Sequence, residues 1–256
     1  MIARMARPGY LLLAVLAAGC PAAGDSDDYP IGGGGGGGGT SGPRADAGTG
    51  GDGGIDGQGT IRGRVCVVSD LRRLTSAVPG DCATMNAGGL SVRLGGSASV
   101  LTSADGSFTI PAQPGTNLSW RVSGQGFITS IVPVSTSALL PAIRESAYAD
   151  LKGSNGIIVS PGQGSIVARV VRGTTTGTTA VTGATAQVTG GESLQTLYDG
   201  TSATVWATTA TGALGVAWLP DNVAGARTLR VVVGTTQLSV PVAIVDQAIT
   251  FVTISL

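Results

Sequence analysis

The sequence predicts an all-β protein with two small β-sandwiches in tandem, preceded by a signal peptide and a disordered glycine-rich tether. The 256 residues are rich in Gly, Thr, Ala, Val and Ser, and only 12% of them are charged. Such a composition favours short strands and turns over surface helices. From Thr60 onward, short apolar alternations recur at intervals of about 10–15 residues. Glycine, proline and aspartate interrupt them where turns are expected.

Residues 1–19 have the pattern of an export signal. Arg4 and Arg7 form a positive segment, and an apolar run from Tyr10 to Ala18 follows. This run is shorter than the roughly 20 residues that a membrane-spanning helix needs. It is therefore predicted to direct export and then to be removed.

The end of this segment reads Leu16-Ala17-Ala18-Gly19-Cys20. It resembles the lipobox of bacterial lipoproteins, although Ala17 stands where that family usually has leucine. The resemblance implies cleavage before Cys20 and lipidation of that cysteine. It places the protein in the bacterial cell envelope, anchored to a membrane, with the outer membrane favoured and the body facing the periplasm or the exterior. The alternative is an ordinary signal peptide cleaved nearby, with Cys20 incidental.

The two remaining cysteines, Cys66 and Cys82, form an even pair in an oxidising compartment. A disulfide between them would close a loop of about 17 residues and stabilise the fold by roughly 3 kcal/mol. Two free thiols are the alternative. A zinc site is weaker still, because the chain has no histidine and no Cys-x-x-Cys spacing.

Residues 20–59 are predicted to be a disordered tether. Eight consecutive glycines from Gly32 to Gly39 precede a stretch of glycine and aspartate, and this composition cannot bury a core. A flexible coil of this length reaches roughly 35 Å. We therefore interpret the segment as a spacer between the membrane and the folded body.

Residues 60–136 are predicted to form the first sandwich. Asp105 and Gly106 indicate a tight hairpin turn, because this dipeptide accepts positive φ, and Phe108 and Ile110 then alternate inward. An insertion over residues 69–87 carries Cys82. Its segment Leu71-Arg72-Arg73-Leu74 is predicted to be a solvated loop, with a short helical turn or a contact surface as the alternatives. Five strands are expected, around Ile61–Val67, Leu90–Leu94, Phe108–Ile110, Leu118–Val122 and Ile128–Val134.

An ordered set of short motifs runs through this region: Gly63-Arg64-Val65, Gly89-Leu90-Ser91-Val92, Asp105-Gly106-Ser107-Phe108-Thr109-Ile110, Pro114-Gly115 and Gly126-Phe127. The set resembles the carboxypeptidase regulatory-like domain, a transthyretin-like or Cna-B-like β-sandwich. The resemblance covers about residues 60–135. It implies an Ig-like, prealbumin-like sandwich.

Residues 137–156 are predicted to connect the sandwiches through a short helix or an irregular segment, because apolar residues recur there at near-helical spacing. Residues 157–256 are predicted to form the second sandwich. The motif series repeats there, but the segment Thr208–Gly215, which stands at the place of the Asp-Gly turn, lacks the aspartate.

The residue content excludes most catalytic sites of secreted hydrolases. The chain has no histidine, so Ser-His and Cys-His nucleophile pairs cannot form. Glu145 and Glu192 are the only glutamates, and most aspartates lie in the tether or beside turn glycines. The net charge is zero and Lys152 is the only lysine, so nucleic acid is not an expected partner. We predict a protein without enzymatic activity, cofactor or metal.

The three tryptophans are the remaining candidates for ligand contact. Trp120 and Trp218 alternate with apolar residues and are predicted to lie in the core. Trp206 lies in a less apolar run and is the best candidate for an exposed ring that stacks on a ligand.

The sequence therefore favours a non-catalytic, membrane-anchored envelope lipoprotein whose sandwiches have a structural or protein-interaction role. Its partners would be the membrane, through the N-terminal lipid, and an envelope protein or glycan. The alternative is a lipoprotein that binds carbohydrate or peptidoglycan, with Trp206 as the contact.

Overall fold

The computed structural model describes residues 59–73, 86–114, 118–134, 138–174, 177–190, 195–200 and 206–256. This part of the chain holds sixteen β-strands and one α-helix, which confirms the predicted all-β class. The helix is α1 (Glu145–Ser154). The strands are β1 (Thr60–Val68), β2 (Ser91–Leu94), β3 (Val100–Leu101), β4 (Ser107–Pro111), β5 (Ser119–Gly124), β6 (Phe127–Pro133), β7 (Leu139–Arg144), β8 (Gln163–Thr174), β9 (Gly177–Ala180), β10 (Thr185–Thr189), β11 (Leu197–Asp199), β12 (Trp206–Ala207), β13 (Val216–Val223), β14 (Gly225–Val233), β15 (Thr236–Ile244) and β16 (Ala248–Ser255).

The N-terminal half consists of β1 to β7. Neighbouring strands follow the order β3-β2-β5-β6, and β6 continues through β7 and β1 to β4. Phe108 and Ile110 of β4 are buried, as is Trp120 of β5, because successive side chains of a strand point to opposite faces. The predicted core positions of these residues are thus confirmed. The N-terminal core comprises Val65, Leu90, Val92, Leu94, Phe108, Ile110, Trp120, Val122, Phe127, Ala138, Leu140 and Ala142.

The C-terminal half has two layers. β10, β14 and β15 form a three-stranded antiparallel sheet, called here the outer sheet. It packs on one face of β8, β13 and β16. Along β8, Ile166 and Ala168 point into this layer while Val167 points to the opposite side. The C-terminal core comprises Ile166, Ala168, Val170, Val181, Ala184, Ala186, Val188, Tyr198, Ala217, Leu219, Leu229, Val231, Val242, Ile244, Val252 and Ile254.

Residues 137–156 contain a strand as well as a helix. β7 pairs in parallel with β1, from Leu139 opposite Arg64 to Ile143 opposite Val68, and so belongs to the N-terminal half. The helix α1 follows it directly and buries Tyr148.

The C-terminal strand β16 joins the two halves of the chain. β6 pairs with β7 only at Phe127 and Ile128. Beyond this point β16 takes the place of β7 beside β6, with Ala248–Thr250 parallel to Thr129–Ile131. The other edge of β16 pairs in parallel with β8. One strand therefore gives backbone hydrogen bonds to both halves and makes their main sheet continuous.

A third hydrophobic core, called here the junction core, lies along this seam. Both halves contribute to it, and α1 adds Tyr148. Its members are Cys66, Val68, Leu71, Ile143, Tyr148, Val167, Leu197, Trp206, Val216, Trp218, Ile249 and Phe251. The division into domains with boundaries at residues 136 and 157 stays a prediction.

Each half contains a threonine whose hydroxyl bridges two backbone groups, an arrangement called here the threonine clasp. Thr102 Oγ1 donates a hydrogen bond to the carbonyl of Ala87 and accepts one from the N–H of Leu90. Thr211 Oγ1 makes the matching pair of bonds in the C-terminal half. The clasp indicates that the halves repeat one local architecture.

A glycine turn follows each clasp. The carbonyls of Gly106 and Gly215 accept hydrogen bonds from the N–H groups of Val65 and Val170, at 2.8 and 2.7 Å. Gly106 has φ +82° and Gly215 has φ +69°. A Cβ at either glycine would lie 2.5 Å from the carbonyl oxygen of the same valine. Both turns therefore need glycine for space as well as for conformation.

Replacing Gly106 with alanine is expected to lower the free energy of unfolding by about 2–4 kcal/mol, because overlap with the Val65 carbonyl adds to the strain of positive φ. Gly126→Ala is the control, since Gly126 has φ +74° and no atom within 4 Å of an added Cβ; it should cost about 1 kcal/mol. Urea denaturation of both variants measures the difference. Equal losses would show that close approach at Gly106 has no energetic effect.

The turn at Gly215 has no aspartate of its own, and Asp199 of β11 supplies the carboxylate that accepts hydrogen bonds from its N–H groups. The Asp199 side chain is 1% exposed. Its Oδ1 accepts from the N–H groups of Gly212 (3.0 Å) and Val216 (2.7 Å), and its Oδ2 accepts from those of Leu214 (2.5 Å) and Gly215 (3.2 Å). One carboxylate from another strand thus accepts hydrogen bonds from four N–H groups of the turn.

Asp105 accepts fewer backbone N–H groups in the corresponding N-terminal turn than Asp199 does in its turn. It accepts hydrogen bonds from the N–H and the hydroxyl of Ser107, at 3.0 and 2.7 Å. These bonds hold the pKa of the exposed Asp105 carboxyl below its ordinary value. The Asp-Gly signature of the sequence is therefore one of two ways in which this chain supports the same turn.

Candidate functional site

Of the residues predicted to be modified or cross-linked, the structure places only Cys66. It lies in β1 and is 7% exposed, on the side of the junction core. Cys20 and Cys82 lie outside the described residues. Lipidation of Cys20 and the Cys66–Cys82 disulfide therefore stay predictions.

The predicted exposure of Trp206 is wrong. Its side chain is 6% exposed and belongs to the junction core. The ring centroid lies 5.4 Å from that of Trp218 at an interplanar angle of 57°. Burial between the two halves covers a ring that lies in a less apolar run of the sequence, and no face remains for a ligand to stack on.

Trp218 and Tyr148 complete this aromatic cluster. Their ring centroids are 6.0 Å apart, and the Tyr148 hydroxyl lies 2.6 Å from Ser165 Oγ. Burial raises the pKa of Tyr148 to about 12, so the phenol stays protonated at neutral pH and keeps its hydrogen bond. The cluster fixes α1 against β8 and β13, which is a structural role.

Leu71 and Arg72 correct the prediction of a solvated loop after β1. Leu71 is fully buried and Arg72 is 7% exposed. The Arg72 guanidinium pairs with Asp70 at 2.7 Å and lies 5.6 Å from the centroid of the Trp206 ring. The charged Arg72 side chain therefore has both a carboxylate partner and the face of an aromatic ring beside it.

A cleft of about 450 Å³ opens along β10 at the edge of the outer sheet. This volume falls within the roughly 300–1,000 Å³ that ligand sites occupy. The cleft is polar and open to solvent. It is lined by Thr185, Ala186, Gln187, Thr196, Tyr198, Arg230 and Val232.

The floor of the cleft is a strand edge that side chains already occupy. The N–H of Ala186 donates to the Tyr198 hydroxyl at 3.1 Å. The Ala186 carbonyl accepts from the hydroxyls of Tyr198 and Thr196, each at 3.4 Å. These contacts leave the backbone of Ala186 unavailable to an added strand.

The wall of the cleft carries polar groups with spare hydrogen-bonding capacity. Gln187 lies directly across from Arg230 in the β10–β14 ladder. Arg230 Nη2 donates to Gln237 Oε1 at 2.6 Å. In the described part of the chain, Arg230 has no carboxylate partner, and the side chains of Thr185 and Gln187 make no hydrogen bond. This arrangement can bind an anionic group and adjacent hydroxyls.

The described residues contain no group of three or more His, Cys, Asp or Glu side chains placed to hold a metal ion. None of their helices is long and apolar enough to cross a membrane.

Comparison with known proteins gives distant structural likenesses. No protein-family model matches the chain, and no curated protein matches it. The structure of GBS52, the minor pilin of Streptococcus agalactiae, is 11% identical with a TM-score of 0.27, over 75% of this chain and 94% of that one. The TIE protein of Bacillus anthracis is 8% identical with a TM-score of 0.22, over 76% of this chain and 33% of that one. Likenesses at this level assign neither a family nor a function.

The cleft was not predicted from the sequence. Thr185 and Gln187 alternate with buried residues along β10, which indicates only that they face outward. Arg230 alternates in the same way along β14, more than forty positions later. The pairing of β10 with β14 brings them together, and no local pattern in the sequence specifies that pairing.

Proposed function

We propose that this chain is a non-catalytic, lipid-anchored envelope protein whose β-strand body has a structural or protein-interaction role. The observation that carries the proposal is the double pairing of β16, which ties both halves into one sheet. Because this pairing and the junction core oppose bending between the halves, the body suits a stiff element held away from a surface.

The proposed anchor is Cys20, with residues 20–59 as the tether and the outer membrane as the favoured site. A disulfide between Cys66 and Cys82 would hold the inserted segment against β1. The support comes from the lipobox-like sequence and the even cysteine pair.

For the N-terminal half we propose membership in the carboxypeptidase regulatory-like family. The motif order supports it, and so does the hairpin turn at Asp105-Gly106, which leads into β4 as that family's pattern requires. The threonine clasp shared by Thr102 and Thr211 supports a related origin for the C-terminal half.

The anchor is tested by expressing the full chain in a bacterial host beside a Cys20→Ala variant. The wild-type protein should lose residues 1–19, gain the mass of acyl chains and partition with membranes. The Cys20→Ala variant should carry no acyl mass and should leave the membrane fraction. Ser26→Ala, a small substitution in the same tether, should behave as wild type. An unacylated wild-type protein in the soluble fraction would refute the anchor.

Glycan binding is the second candidate function. The burial of Trp206 removes its original support, and the polar cleft along β10 gives it a different one. Hydroxyl, amide and guanidinium groups beside the half-buried Val232 are the kinds of group that bind saccharides.

A further inference from the structure

We propose that the cleft along β10 binds a saccharide unit that carries a carboxylate, and that Arg230 recognises the carboxylate. This inference rests on the second candidate function and specifies its site and ligand class.

The charge distribution of the outer sheet favours an anion. Along β10, β14 and β15, outward-facing positions alternate with buried positions. Arg230 is the only charged residue at these outward-facing positions. Its hydrogen bond to Gln237 uses one of five guanidinium N–H groups. The remaining N–H groups can bind a carboxylate with two parallel hydrogen bonds, a geometry that suits a guanidinium.

The neighbouring groups favour a saccharide over a simple anion. Gln187 lies opposite Arg230, and Thr185 lies opposite Val232. Thr185 and Gln187 are two positions apart on one face of β10, a spacing of about 7 Å. They can therefore bond to hydroxyls on a sugar ring whose carboxylate reaches Arg230, while the Val232 side chain contacts the apolar face of the ring.

The strand edge disfavours an extended peptide. A peptide that added to β10 would need the backbone groups that point away from β14. Those of Ala186 are held by Tyr198 and Thr196, and the N–H of Ala184 is held by Thr211. Recognition at this cleft must therefore come from side chains, as it does for sugars.

The test compares two disaccharides that differ by one lactyl group, which carries a carboxylate. The purified full chain is titrated by calorimetry with N-acetylglucosaminyl-N-acetylmuramic acid, whose lactyl group carries the carboxylate, and with neutral di-N-acetylchitobiose. We expect saturable binding of the acidic disaccharide and at least about tenfold weaker binding of the neutral one. Arg230→Gln should reduce the affinity for the acidic disaccharide to that for the neutral one. Gln187→Ala should weaken binding of both.

Arg93→Gln is the matched control, because Arg93 is an exposed strand arginine of β2 in the N-terminal half; it should bind as wild type. Equal affinity for the two disaccharides, an unchanged Arg230→Gln variant, or no binding of either sugar would overturn the proposal. Triglutamate that binds as tightly as the acidic sugar and is lost in Arg230→Gln would assign the cleft to acidic peptides instead. Equal binding of the two sugars would reject carboxylate recognition and leave glycan binding standing, whereas no binding of either sugar would reject both. None of these outcomes depends on lipidation of Cys20.

Discussion

Replacing Asp199 with asparagine is expected to lower the free energy of unfolding by about 3–5 kcal/mol. The buried carboxylate accepts four backbone N–H groups, two at each oxygen. An asparagine amide fits the same space, but its NH₂ group would face two of those donors and leave them unsatisfied. Chemical denaturation of the wild-type and Asp199→Asn proteins measures the loss.

Asp105→Asn is the matched control for this experiment. Asp105 serves the corresponding turn, but it is exposed, and it accepts hydrogen bonds from the N–H and hydroxyl of Ser107 and from the exposed Arg64 guanidinium. Its replacement should cost much less than that of Asp199. Similar losses in the two variants would contradict the view that Asp199 is the principal support of its turn.

These two aspartates show how far the sequence could predict the fold. Asp105 lies next to Gly106 in the chain, so a local rule for hairpin turns finds it, and Phe108 and Ile110 then occupy the predicted core positions. Asp199 acts on a turn that begins thirteen residues later, at Gly212. Only the pairing of β11 with β13 brings the two together. Local patterns therefore predict interactions within a hairpin and miss those that depend on non-local strand pairing.

The candidate site was less predictable than the fold, for the same reason. Trp206 lies in a less apolar run than the other two tryptophans, which favours an exposed ring, yet Trp218 and Arg72 cover it from elsewhere in the chain. Leu71 and Arg72 were expected in solvent and are buried in the same region. The hydropathy pattern of one segment cannot predict a core that forms between two halves of the chain. The cleft at Arg230 likewise depends on the pairing of strands that are distant in the sequence.

Truncation after Gln247 is expected to unfold both halves of the chain, although it removes only β16. Ile249, Phe251, Val252 and Ile254 are all buried, and each contributes about 1.5–3 kcal/mol. Their combined loss, roughly 6–12 kcal/mol, is comparable to the whole stability of a typical domain. Hydrogen exchange should show loss of protection in β6 and in β8, because β16 pairs with both strands.

A single substitution in β16 keeps the strand in place and tests whether it couples the stability of the two halves. Ile249→Ala should lower the free energy of unfolding by about 2–4 kcal/mol, while Thr253→Lys, on the exposed side of β16, should leave it nearly unchanged. Ile249 lies opposite Ser130 of β6 and Ser165 of β8, so its loss acts on both halves at once. Amides of β5 and β14 should then lose protection together, in one transition. Two separate transitions, with only β14 destabilised, would mean that the halves fold independently and that β16 does not stiffen the body.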